Sequence, residues 1–85
     1  MKYLNRPAYA EKDRLTEYFK STFGITEREG EIILRLLNGE GGKEIGAALF
    51  ISAKTVENHI YNLYQKLSVK NRVQLFQLIR ANARE

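Results

Sequence analysis

Apolar residues recur at helical spacing along the chain, and no stretch alternates with period two. From Ala8, the positions Ala8, Leu15, Phe19 and Phe23 share one face. This predicts a helix to about Thr22, with Pro7 suited to its first turn and Gly24 as its C-terminal cap. Thr26-Glu27-Arg28-Glu29 has the form of a capping box, and Glu27, Glu29 and Glu31 suit the positive end of the helix it would start. Ile32, Ile33, Leu36 and Leu37 supply that helix with a buried stripe, and Asn38-Gly39 stops it. After the loop Gly39–Gly42, Lys43 to about Leu49 reads as a short helix with Ile45, Ala48 and Leu49 inward. Phe50-Ile51 makes a turn. Ser52 then caps a helix from Ala53 to about Leu67, and Asn71 caps another from Arg72 to about Ala81.

The chain is therefore expected to be all-α, four short helices behind an N-terminal helix. Residues 1–24 form the N-terminal helix or linker and residues 25–85 the four-helix domain. The N-terminal helix is either a clasp on the domain or a connector, and Phe19 and Phe23 favour the clasp because both rings need cover.

Helices 43–49 and 53–67, joined by a tight turn, form a helix-turn-helix. On the second, Val56, Ile60, Leu63 and Leu67 fall on one narrow stripe. The opposite side carries Lys54, Asn58, Tyr61, Asn62 and Gln65, with no acid among them. The major groove of DNA admits one helix and presents donors and acceptors on base edges. Asn58, Asn62 and Gln65 carry amides that can pair with base edges, while Lys54, Thr55 and Lys66 can meet phosphates. A plain solvated face has the same general polarity, so this pattern alone leaves both readings standing.

Charge narrows the choice. The net charge is +4 over 85 residues. Residues 1–24 contribute +2, residues 25–50 contribute −2 and residues 51–85 contribute +4. The basic excess thus lies where the candidate reading helix lies, which favours a polyanion partner. A length of 85 residues bounds the chain to one domain, cysteine is absent, and no apolar run reaches membrane-spanning length.

The run from Ile25 to Leu78 resembles the helix-turn-helix domain of LuxR-type (LuxR/FixJ/NarL) bacterial transcription regulators. The matching segments are ITEREGEIILRLLNGE, KEIGAALFISAKTVENHIYNLYQKL and SVKNRVQL. The resemblance implies a four-helix domain that binds duplex DNA as a homodimer on an inverted repeat and controls transcription. It implies base contacts from Glu57, Asn58 and Tyr61, and backbone contacts from Lys54 and Thr55 with help from Lys66. It implies a dimer contact on the last helix, where Val73, Gln77, Arg80 and Arg84 lie opposite the core positions Leu75, Phe76 and Ile79. RNA polymerase and a sensor region outside this chain are further implied partners. The setting is cytoplasmic, including for a membrane-anchored parent, and no cofactor is implied. The chain is either a naturally small regulator or an excised output domain.

Three departures from the family pattern stand out. Gly41-Gly42 replaces a Ser or Thr followed by Asn, removing a helix cap that contributes about 1 kcal/mol. Gly46 replaces alanine at a similar cost of ~1 kcal/mol in helix propensity, and permits close approach of the two helices. Glu57 stands where many relatives have a base; it either accepts from a cytosine amino group or turns toward Lys54 or Tyr61.

Other chemistries fare poorly. His59 is the sole histidine, and with no Cys or second His it reads as a structural hydrogen-bonding residue rather than a metal ligand. Gly39–Glu44 lacks the glycine spacing, the Ser or Thr after Lys43 and the preceding strand of a phosphate loop. No nucleophile is paired with a base, so an enzyme is not expected. The competing reading from another class is a helical protein-interaction adaptor. Salt separates the two, because phosphate contacts give a log-log affinity slope of about −0.9 each.

Overall fold

The computed structural model describes the backbone of residues 8–82 and the side chains of residues 16–82. Five helices follow one another: α1 (Ala8–Phe23), α2 (Glu27–Leu37), α3 (Gly42–Leu49), α4 (Ala53–Leu67) and α5 (Arg72–Asn82). No strand occurs among the described residues. Every helix lies within a residue or so of where the apolar spacing put it. Pro7 and Arg84 lie outside the described residues, as do the side chains of Ala8 and Leu15.

The caps explain the boundaries. The Thr26 N–H donates to Glu29 Oε1 at 2.9 Å, and the Glu29 N–H donates back to Thr26 Oγ1 at 3.1 Å, completing the capping box. Ser52 Oγ accepts from the Thr55 N–H at 3.0 Å at the start of α4. Asn71 Oδ1 accepts from the Gln74 N–H at 2.8 Å at the start of α5. At α3 the N-cap is Gly41, which has no side chain to offer. Glu44 reaches back instead and accepts from the Gly41 N–H at 2.6 Å, so half of a capping box survives.

One core joins all five helices. It holds Phe19 from α1, Ile32, Ile33 and Leu36 from α2, Ile45 from α3, Val56, Leu63 and Leu67 from α4, and Leu75 and Ile79 from α5. Phe19 is fully enclosed and stacks edge-on against Phe23 at 5.3 Å. α1 is thus a clasp through its last turns. Lys20 reinforces the join by pairing with Glu27 in the first turn of α2 at 2.6 Å. Gly30 marks how closely the helices meet there, since a Cβ on it would stand 2.8 Å from Thr16 Cγ2.

The join between α3 and α4 is tighter still. A Cβ on Gly46 would lie 2.6 Å from the Ile51 carbonyl oxygen, well inside contact distance and against backbone rather than a side chain. The Ile51 N–H donates to Gly46 O at 2.9 Å. Glycine at this position therefore admits the turn that seats α4 on α3, and its low helix propensity is offset by that packing.

Candidate nucleic-acid interface

α4 is built as an inner stripe and an outer face. Val56 and Leu63 are fully buried, Leu67 nearly so, and Ile60 packs half-buried beside them. At about 100° per residue, Lys54, Asn58, Tyr61 and Gln65 then line up on the far side, spanning roughly 16 Å of helix axis. All four are exposed, as are Glu57 and Asn62. Tyr61 keeps 64% of its surface in solvent. No intramolecular side-chain hydrogen bond among the described residues engages Asn58, Tyr61, Asn62 or Gln65. The outer face is a row of free donors and acceptors.

Thr55 sits on the shoulder of the helix, half-buried, with its hydroxyl organised by the cap. Its Oγ1 accepts from the Ser52 hydroxyl at 2.9 Å, which leaves its own proton available to an outside acceptor. Lys54 is exposed in the same turn and has no ion-pair partner among the described residues. Glu57 turns toward neither Lys54 nor Tyr61 in an ion pair or hydrogen bond; its carboxylate stands free at the edge of the face.

The cations divide unevenly over the surface. Lys20 pairs with Glu17 and Glu27, Arg28 with Glu31, and Arg35 with Glu40. The described cations of α1 and α2 are thereby all paired. Lys43, Lys54, Lys70 and Arg80 have no ion-pair partner among the described residues, and they belong to α3, α4, the α4–α5 connector and α5. The unpaired positive charge belongs to the same part of the chain as the free amides.

Lys66 makes an internal contact. It is some 120° around the helix from Lys54, and its amine is already occupied. Lys66 Nζ donates to Glu29 Oε1 at 2.9 Å and to the Gly24 carbonyl at 3.3 Å. Glu29 is buried, and the same Oε1 also takes the Thr26 N–H. Burial alone would push the Glu29 carboxyl up. The Lys66 ammonium and the bonds from Thr26 outweigh it, and hold the carboxyl below the ordinary carboxylate range. Lys66 therefore ties the end of α4 to the capping box of α2 as a brace. The pair is 37 residues apart in sequence, and no local pattern announces it.

His59 is half-buried on the Lys66 shoulder, and no side-chain hydrogen bond holds it among the described residues, so the structural bond expected of it is not made there. On α5, Leu75 and Ile79 are buried and Phe76 packs beside them. Val73, Gln77 and Arg80 share a stripe on the other side, all exposed, with Val73 at 64%. Arg72 leaves that stripe and donates to the Glu40 carbonyl at 3.4 Å, fastening α5 to the loop after α2.

Sequence reading passed over one residue here. Phe50, at the turn between α3 and α4, is 93% exposed and adopts a left-handed conformation with φ of 62°.

Comparison with known proteins follows the same stretch of chain. Residues 24–79 match the family described as bacterial regulatory proteins, luxR family. The chain is 50% identical over 56 residues to the spore germination protein GerE of Bacillus subtilis, covering 66% of this chain and 76% of that one. It is 48% identical over 52 residues to the uncharacterized transcriptional regulatory protein YhcZ of Bacillus subtilis, covering 61% of this chain and 24% of that one. It is 50% identical over 50 residues to the CsgBAC operon transcriptional regulatory protein of Escherichia coli, covering 59% of this chain and 23% of that one. The chain thus spans about a quarter of the length of these last two relatives. No solved structure matches the chain.

Proposed function

The chain belongs to the luxR family of bacterial regulatory proteins, which is not an enzyme family, and on that premise we propose that it reads duplex DNA with the outer face of α4. The observation that carries this reading is the row Lys54, Asn58, Tyr61 and Gln65. It is exposed, makes no side-chain hydrogen bond or ion pair among the described residues, and is held by a helix whose other side is sealed in the core. In this reading Glu57, Asn58 and Tyr61 meet base edges in the major groove, and Lys54 and Thr55 meet phosphates. Glu57, with no internal cation to answer, accepts from a cytosine amino group and shapes preference.

Two copies pair through Val73, Gln77 and Arg80 of α5 and bind an inverted repeat. The exposure of Val73 opposite a buried Leu75 and Ile79 supports a second neighbour for that helix. The relatives that are about four times longer than the stretch they share support a sensor region joined to this domain in a cytoplasmic regulator. RNA polymerase is the further partner through which such a regulator acts. α1, residues 8–23, is a clasp appended to the four-helix domain of residues 25–85.

The test is selection of bound duplexes from a random pool by the purified chain at two salt concentrations. Enrichment of an inverted repeat with steep salt dependence is the expected result. A single half-site would remove the α5 pairing from the reading. Weak, salt-insensitive binding without enrichment would refute DNA reading in favour of a protein-docking surface.

A further inference from the structure

Phe50 is the residue the fold explains least. Four described residues have positive φ: Gly24, Gly39, Ser68 and Phe50. Each lies at or just beyond the C-terminal end of a helix. Two are glycine and one is a small polar residue, as the left-handed region prefers. Phe50 alone puts a bulky side chain there. The turn itself needs the conformation, since the Phe50 and Ile51 N–H groups both reach back to Gly46 O. It does not need the ring, and glycine or asparagine would serve the backbone better. Nor does the core need it, because the ring is 93% exposed. The ring is thus held in an unfavourable backbone state and left in water, with no compensating enclosure among the described residues.

Its position is informative. Phe50 precedes the N-cap Ser52 by two residues, and the next turn carries the free amine of Lys54 and the free proton of Thr55. From Phe50 to Val56 there is no acid. The turn is pinned by the Gly46–Ile51 contact, so the ring projects from a fixed point at the entrance to α4. We propose that Phe50 packs against the deoxyribose edge of the DNA strand that Lys54 and Thr55 hold by its phosphates. A strand offers apolar sugar edges between its phosphates, and a ring next to two phosphate donors meets them when the donors engage. This rests on the DNA reading proposed for α4 and adds an apolar contact that is indifferent to base sequence.

The experiment compares wild type with Phe50→Gly, Phe50→Asn and Phe50→Leu on the selected duplex and on a scrambled one, with Lys54→Ala as reference. Gly and Asn both suit the left-handed turn, so thermal stability holds or rises. Affinity for both duplexes falls about tenfold in these two variants. That is about 1.4 kcal/mol, or roughly 55 Å² of apolar surface no longer withdrawn from water. Phe50→Leu retains most of the affinity. The salt slope stays at the wild-type value, whereas Lys54→Ala lowers it. Unchanged affinity in the Gly and Asn variants, with Lys54→Ala weakened, would overturn the ring contact and leave the DNA reading intact. A loss in the Gly variant alone would also overturn it, assigning the effect to chain flexibility. Failure of wild type to bind either duplex would remove the reading and the contact together.

Discussion

Lys66→Met separates two roles for one cation. The substitution keeps the aliphatic stem and removes the charge. In the structure that charge answers Glu29, whose side chain is 5% exposed, while the Lys66 side chain is 34% exposed. A hydrogen bond to a charged group contributes roughly 1.5–3 kcal/mol, and the solvent around Lys66 screens it toward the lower end. The expected loss is about 2 kcal/mol, on the order of 10 °C in Tm for a domain this size. The pH dependence carries the diagnosis. Glu29 titrates below its ordinary 4.5 in the folded chain, so its contribution is complete above that value and is lost as pH falls through the depressed one. The difference in Tm between wild type and Lys66→Met is therefore wide at pH 7 and closes in acid. In the variant, burial of Glu29 is opposed by the Thr26 bonds alone. Its folded-state carboxyl pKa then rises, so the variant loses less stability in acid than wild type does. The assay is thermal unfolding of both proteins across the acid range, together with the salt slope of DNA binding. A Tm difference that does not change with pH would refute the brace. So would an unchanged Tm accompanied by a salt slope smaller by about one phosphate, which would return Lys66 to the DNA backbone.

Other substitutions probe the remaining contacts. Gly46→Ala drives a Cβ to 2.6 Å from the Ile51 carbonyl. It should cost about 1–3 kcal/mol in denaturant unfolding despite alanine's better helix propensity. Phe19→Ala should destabilise by roughly 3–5 kcal/mol, because the ring is fully enclosed in the shared core. An effect under about 1 kcal/mol in chemical denaturation would show that α1 is no clasp. Lys54→Ala should weaken every duplex alike and reduce the salt slope by about one unit. Asn58→Ala or Glu57→Ala should instead change which sequences a random pool yields. Val73→Asp should leave the fold intact, since the residue is 64% exposed. It should convert inverted-repeat binding to half-site binding, as read by gel mobility and sedimentation.

The helices were legible because their signals are local. The capping box at Thr26 and Glu29, the N-caps Ser52 and Asn71, and the apolar stripes each lie within a few residues of one another. The free face of α4 was legible for the same reason, since a stripe at helical spacing names its own opposite side. The brace made by Lys66 was not legible, because a wheel shows direction but not occupancy. Its partner Glu29 lies 37 residues earlier and reads locally as a helix-start acid. Glu29 does both jobs with one oxygen, and only the packing of α4 on α2 reveals the second. Phe50 escaped notice for a related reason. A Phe before Ile51 and Ser52 looks like ordinary turn filling, and its exposure depends on a backbone angle that composition does not report. Gly46 falls between these cases. Its departure from alanine was visible, and the reason became visible with the Ile51 carbonyl beside it.

The contact between Gly46 and Ile51 bears on how such a reader can be retargeted. α4 is seated on α3 partly by main chain against main chain, at a point where no side chain intervenes. The inner stripe and that seat hold the helix; the outer residues Lys54, Glu57, Asn58 and Tyr61 make no side-chain hydrogen bond or ion pair among the described residues. On the reading proposed for α4, specificity and architecture are thereby assigned to different atoms. Exchanging the outer residues should give new operator preferences at nearly constant melting temperature, so a library built on those four positions samples binding without also sampling misfolding.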